Sequence, residues 1–154
     1  MIPPKIKPGQ EIRVIAPSRS LSIVSEAQRN FAQKRLENLG FKISFGEHVL
    51  EQDEFHSSAI ESRLSDLHAA FADKNVAAIL TSIGGYNCNQ LLKYLDYDLV
   101  KSNPKILCGY SDITALQNAI FTKTNLVTYS GPHFSTFGMQ QRFYFTLDHF
   151  IKGL

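Results

Sequence analysis

A chain of 154 residues with 44% apolar content is long enough to close one sizeable core. Its formal charge is +2 and no basic run exceeds the pair Lys34-Arg35, which excludes nucleic-acid and membrane-surface classes built on a positive patch. No apolar run approaches the roughly 18 residues of a membrane span; three prolines in MIPPKIKPGQ argue against a secretory leader, and two cysteines, Cys88 and Cys108, point to a reducing cytoplasm.

Residues 1–10 read as an extended lead-in, and 11–16 as a short strand stopped by Pro17-Ser18. From 22 to 40, Val24, Ala27, Phe31, Leu36 and Leu39 keep roughly helical spacing, and Gly40 supplies the stop. A second strand is expected at 41–45 and a polar loop at 46–56. Ile60, Leu64, Leu67 and Phe71 then fall at i, i+4, i+7 and i+11, one face of a helix. Residues 76–81 are apolar until Thr81, as in a strand covered on both faces, and Gly84-Gly85 breaks the run. The remaining expectations are a helix at 87–93 with Leu91 and Leu92 inward, a turn at 97–101, a strand at 105–108 and a helix at 112–123. A strand at 126–129 and a helix at 139–152 follow. Strands alternating with helices give an α/β fold: an open, mainly parallel sheet with helices on both faces, of the Rossmann or flavodoxin kind. One domain over 1–154 is expected, with no interior linker or repeat.

Such sheets bind ligands beyond the carboxyl ends of their strands. Those ends carry Pro17-Ser18, Gly84-Gly85-Tyr86-Asn87, Ser111-Asp112 and Ser130-Gly131-Pro132-His133, the small, polar and turn-forming residues of the chain. The stretch Cys108-Gly109-Tyr110-Ser111-Asp112-Ile113-Thr114 puts a serine on a sharp strand-to-helix turn, the geometry of a nucleophile elbow. There the side chain leaves the sheet, the next backbone N–H faces the atom attacked, and the helix dipole favours developing negative charge. Ser111 is the candidate nucleophile. A helix N-cap is the competing reading, and Ile113 stands where the usual esterase motif has glycine. Gly84-Gly85 suit an oxyanion hole, because glycine lets backbone approach a ligand, or an ordinary turn. No Gly-Lys-Ser/Thr or GxGxxG is present, so this is not a phosphate loop. His133 is the histidine at this edge, a candidate base or substrate contact. His48, His56, His68 and His149 are scattered without metal-ligand spacing, and no metal is expected. Cys88 at a helix start is either a reactive thiol or packed, and Cys108 in a strand is packed.

Taken in order, several stretches resemble the LD-carboxypeptidase and microcin C immunity peptidase family of serine peptidases. They are Ser82-Ile83-Gly84-Gly85-Tyr86-Asn87, Leu91-Leu92-Lys93-Tyr94-Leu95-Asp96-Tyr97-Asp98, Asn103-Pro104-Lys105, Gly109-Tyr110-Ser111-Asp112-Ile113-Thr114-Ala115-Leu116 and Tyr129-Ser130-Gly131-Pro132. Arg63 and Asp66-Leu67, ahead of Ala70-Phe71-Ala72-Asp73, extend the match. The resemblance implies that Ser111 is the nucleophile and that the backbone N–H groups of Asp112 and Gly85 form the oxyanion hole. Gly84, Tyr86, Asn87, Tyr110 and His133 are the expected substrate contacts. It implies no cofactor, a small peptide, murein fragment or peptidyl-nucleotide as substrate, no nucleic-acid or membrane partner, a cytoplasmic setting and a homodimer.

Members of that family take the triad glutamate and histidine from a second, C-terminal domain. Neither has a match here, so His133 is not assigned to the triad. The chain is expected to be the N-terminal, nucleophile-bearing domain, inactive by itself. A non-catalytic module that keeps the peptide- or murein-binding edge, and a cysteine hydrolase working through Cys88, are the alternatives. Asn87-Cys88-Asn89 and Gly131-Pro132-His133-Phe134 look closer to the microcin branch, with Cys88 where serine is expected. Tyr86, Tyr110 and Phe134 at one edge suit a nucleotide-like leaving group.

Overall fold

A computed structural model describes residues 1–141 and 143–153. Among these, five strands form one parallel sheet: β1 (Glu11–Ile15), β2 (Lys42–Phe45), β3 (Val76–Thr81), β4 (Ile106–Gly109) and β5 (Tyr129–Ser130). Their spatial order is β2-β1-β3-β4-β5. The order reverses between β1 and β3, which is where such sheets open a crevice at their carboxyl ends. The crossovers carry α1 (Glu26–Asn38), α2 (Ile60–Ala72), α3 (Tyr97–Ser102) and α4 (Ile113–Thr124), and α5 (Tyr144–Gly153) follows β5. The expected α/β architecture is the one observed.

Strand alternation divides the core in two. Ile12, Val14, Ala78, Leu80, Ile106 and Cys108 face Ala32 and Leu36 of α1 together with Phe134, Phe137 and Phe150. Ile15, Ile79 and Leu107 face Leu67, Ala70 and Phe71 of α2, Val100 of α3, and Leu116 and Ile120 of α4. Each large side chain buried this way is worth about 1.5–3 kcal/mol, so the sheet that carries the strand ends is held rigidly from both faces.

Several elements differ from expectation, each for a local reason. The helix expected from 22 begins at Glu26, because Ser25 caps it by accepting the Gln28 N–H at 3.3 Å; Leu21–Ile23 form a separate 3₁₀ turn. Its buried residues are Ala32 and Leu36, while Ala27 and Phe31 are exposed. Phe31 lies under the Arg35 guanidinium, 4.5 Å from its ring centre, and Arg35 reaches the Phe137 and Met139 carbonyls. Residues 87–93 make only a 3₁₀ turn, Cys88–Leu91. Asparagine side chains compete with helix there, and the Cys88 N–H is taken by the Asp112 carboxylate. The turn expected at 97–101 is a helix, α3, capped by Asp96 on the Leu99 N–H at 2.8 Å. The last strand is Tyr129–Ser130 and not 126–129. Leu126 is spent on the core and the Val127 N–H bonds the Met1 carbonyl instead of the sheet. The helix expected at 139–152 begins at Tyr144 after a 3₁₀ turn, Phe134–Gly138; Arg142, inside the expected span, lies outside the described residues. Among the described residues, no helix is long and apolar enough to cross a membrane.

Candidate active site

β4 ends at Gly109, where a Cβ would overlap the Thr81 hydroxyl; only glycine fits. Tyr110 follows, then Ser111 with φ +60°. Left-handed backbone at a serine costs on the order of 1–3 kcal/mol and persists only where its surroundings impose it. Here they do: the Ile113 N–H bonds the Tyr110 carbonyl and the Thr114 N–H bonds the Ser111 carbonyl, so the chain turns from strand into α4 within three residues. Ser111 is exposed and stands outside the helix. The cap residue is Asp112, and no side chain caps α4. The N-cap reading of Ser111 therefore gives way to the elbow reading. Among the described residues the Asp112 N–H has no acceptor.

The other loops converge on this turn. The Asp112 carboxylate accepts the Ser18 hydroxyl at 2.5 Å and the Cys88 N–H at 2.9 Å, joining the loops that follow β1, β3 and β4. Asn87, expected to touch substrate, is 8% exposed; its amide donates to Ser57 Oγ at 2.9 Å and accepts the Ser18 hydroxyl at 3.3 Å. Beneath them lies Arg63 of α2, 3% exposed, a role not evident in its sequence context. Its guanidinium donates to the Ser58, Pro17 and Asn87 carbonyls and to Gln90 Oε1. One buried cation thus ties α2 to the loops after β1 and β3.

Gly84 abuts the serine. A Cβ on it would sit 3.1 Å from Ser111 Cβ, 3.2 Å from Ser111 Oγ and 3.4 Å from His133 Nε2. At Gly85 a Cβ would overlap Ser18 Oγ. His133 is 2% exposed, with Nδ1 2.8 Å from Thr81 Oγ1 and its ring stacked on Tyr110 at 4.3 Å. Burial pushes its pKa down to about 4, against a smaller upward pull from the Tyr110 backbone, so the ring is neutral at pH 7. Among the described residues no carboxylate lies within hydrogen-bonding distance of it. Thr81 was not singled out by its sequence; the available signal was a lone polar residue closing an apolar strand.

The aromatic residues separate. Tyr110 is 47% exposed and lines a groove of about 550 Å³ running past Ser130, Gly131 and Pro132 toward α5. Tyr86 is 58% exposed, bonds the Phe55 carbonyl at 2.7 Å, and borders a second hollow of about 480 Å³ over Arg63. Phe134 is fully buried, edge-on against Phe45 at 5.5 Å; it packs the core and does not reach the edge. Cys88 is also fully buried. Its thiol donates to the Asp112 carbonyl at 2.8 Å and burial pushes its pKa to about 12. A thiol so protonated is no nucleophile at pH 7, which removes the cysteine-hydrolase alternative. Cys108 is packed, as expected.

Similarity to known proteins follows the same residues. The family model described as the LD-carboxypeptidase N-terminal domain matches residues 12–131. YocD of Bacillus subtilis (strain 168), which carries a provisional carboxypeptidase name, is 57% identical over 148 residues, 96% of this chain and 46% of YocD. The crystal structure of an MccF-like protein from Bacillus anthracis superposes with a TM-score of 0.98 at 63% identity, covering 99% of this chain and 46% of that one. A structure of MccF in complex with glutamyl sulfamoyl guanosine superposes with a TM-score of 0.93 at 31% identity, over 99% of this chain and 46% of MccF. The chain spans about half the length of the curated relatives it matches.

Proposed function

The chain belongs to the LD-carboxypeptidase family of serine peptidases, and on that premise we propose that it carries the nucleophile of a serine carboxypeptidase of the microcin C immunity type. Ser111 attacks an amide carbonyl to give an acyl-enzyme, which water then hydrolyses. The backbone N–H groups of Asp112 and Gly85 receive the oxyanion, with the positive end of α4 behind the first of them. The observation that carries this reading is the strained, exposed Ser111 at φ +60° between β4 and α4, abutted by a glycine.

The base comes from elsewhere. His133 is the histidine beside Ser111, and it is neutral, buried and backed by a hydroxyl instead of a carboxylate. A triad histidine needs an acid on its far nitrogen to stabilise the imidazolium. In this reading the glutamate and histidine belong to the part of the family's length that this chain does not span, and the 154 residues alone are nearly inactive. A cytoplasmic setting accords with two free, buried cysteines. A homodimer accords with the apolar surface of α5, where Tyr144 and Phe145 are 87% and 75% exposed.

The substrate assigned is an aminoacyl or peptidyl group joined to a nucleotide-like leaving group, with the exposed ring of Tyr110, next to Ser111 in the chain, as its stacking surface. The MccF complex, whose compound is of that kind, supports the choice. The full gene product should be given glutamyl sulfamoyl guanosine and a murein tetrapeptide in parallel. Turnover of the first at a higher kcat/KM, abolished by Ser111→Ala, is expected. A tenfold preference for the tetrapeptide, about 1.4 kcal/mol in transition-state binding, would reverse the substrate assignment, and activity surviving Ser111→Ala would reverse the nucleophile.

A further inference from the structure

Asp112 stands at the N-cap of α4, yet its side chain caps nothing in that helix. A carboxylate in that position ordinarily accepts an N–H from the first turn of its own helix. Asp112 instead reaches two other loops. Its Oδ2 accepts the Ser18 hydroxyl at 2.5 Å, from the loop after β1, and the Cys88 N–H at 2.9 Å, from the stretch after β3. Both partners lead to Gly85. Gly85 rests against Ser18, since a Cβ on it would overlap Ser18 Oγ and come within 2.7 Å of Arg19 Cγ. Cys88 follows Gly85 by three residues. Ser18 is itself held from behind: its carbonyl accepts the Ser57 hydroxyl at 2.7 Å, and Ser57 Oγ accepts the Asn87 amide at 2.9 Å. Among the described residues, no backbone–backbone hydrogen bond joins residues 82–88 to residues 110–112. Besides the carboxylate, the hydrogen bond between them is that of the Cys88 thiol to the Asp112 carbonyl, and a thiol is a weak donor.

We propose that the Asp112 side chain is a positioning residue: its carboxylate ties the glycine loop to the nucleophile turn and so sets the spacing of the two N–H groups that receive the oxyanion. The inference rests on Ser111 as the nucleophile and on the Asp112 and Gly85 N–H groups as the donors. Among the described residues neither N–H has an acceptor. The two donors belong to different loops, one after β4 and one after β3. An oxyanion hole works only when its donors are already in place where the charge develops, and removing one donor costs about 10²–10³ in kcat. Two loops free to part would lose that arrangement without losing either donor. The carboxylate acts through its acceptor oxygen and not through its charge, because a negative charge beside the oxyanion opposes it. What it contributes is the geometry it holds: Asp112 to Ser18 against Gly85, and Asp112 to Cys88 behind Gly85.

The test uses the full gene product with glutamyl sulfamoyl guanosine and with a murein tetrapeptide, and follows whichever is turned over. Asp112→Ala should lower kcat at least about tenfold with KM within about threefold of wild type, because the donors it spreads matter most in the transition state. Asp112→Asn offers one acceptor oxygen, and a single oxygen takes both bonds here, so it should recover most of that loss. Ser18→Ala cuts one of the two links and should lower kcat by less. The double variant Ser18→Ala, Asp112→Ala should lie within about twofold of Asp112→Ala, since both changes break one bridge. Urea unfolding is measured for each, and rates are compared only where every variant is folded. Unchanged kcat in Asp112→Ala, a loss carried by KM, Asp112→Asn no better than Asp112→Ala, or losses that multiply in the double variant would each overturn the proposal. Ser18→Ala, one hydroxyl removed, decides the matter if Asp112→Ala does not fold, and unchanged kcat in it then overturns the proposal. Turnover that survives in Ser111→Ala is failure of the nucleophile assignment; turnover lost in Ser111→Ala but kept in Asp112→Ala is failure of the positioning role alone. Amide exchange over residues 83–88 gives a readout free of substrate. It should quicken in Asp112→Ala and return toward wild type in Asp112→Asn, and equal exchange in all three overturns the proposal.

Discussion

His133 lies buried beside Ser111, and that burial couples the stability of the fold to pH. Its pKa falls from the ordinary 6.5 to about 4 in the folded protein. Between those values the unfolded chain binds the proton and the folded one does not, so stability rises with pH across the window. The contribution is complete above pH 6.5 and is lost as pH falls through about 4, with a ceiling on the order of 3 kcal/mol. Urea unfolding of the wild type and of His133→Phe, compared from pH 7 to pH 4, should show the wild type losing more stability than the variant. Parallel pH dependence in the two proteins would mean that His133 is protonated at no cost to the fold. Cys88 makes the complementary point: with a pKa near 12 it stays a thiol throughout this range, and alkylation of the folded protein should leave turnover unchanged.

At the scale of elements, the site is a set of loops tied to one helix. Arg63 of α2 donates to three backbone carbonyls and one side-chain oxygen on three different segments. Arg63→Met fills the same space but leaves those acceptors buried without donors, and each unmet acceptor costs about 1–3 kcal/mol. A destabilisation of about 3 kcal/mol is expected, and hydrogen exchange should quicken first in the loops after β1 and β3. A variant as stable as the wild type would show that the loops hold without the cation. How much was legible follows the range of the interactions. α2 was legible because Ile60, Leu64, Leu67 and Phe71 repeat within one helix, and the elbow because strand, glycine, serine and helix are adjacent in the chain. The Ser18–Asp112 and Thr81–His133 bonds join residues 94 and 52 positions apart, and no local period encodes them. The last strand was misregistered because its boundary is set by the Met1 carbonyl, at the far end of the sequence.

For the molecule as a whole, two features bear on the proposed function. The first is apolar: Tyr144, Phe145 and Ile151 of α5 are 87%, 75% and 51% exposed. Exposed apolar side chains on one helix favour association, so sedimentation of the 154-residue chain should give an average mass that rises with concentration. A constant monomer mass up to high concentration would remove the homodimer from the proposed function. The second is chemical. Ser111 is strained, exposed and positioned, yet among the described residues nothing beside it can take its proton and hold the charge. Triad residues act as a unit, so losing the base is expected to lower kcat by on the order of 10⁶, the oxyanion hole alone leaving a residue about 10³–10⁴ above water. A steady-state assay of the isolated chain with glutamyl sulfamoyl guanosine should therefore give turnover within that residue, and adding a separately expressed remainder of a full-length relative should raise it. Turnover by the isolated chain at the rate of a full-length relative, lost in Ser111→Ala, would locate the base among these 154 residues. His133, with its free Nε2, would then be the first residue to reconsider.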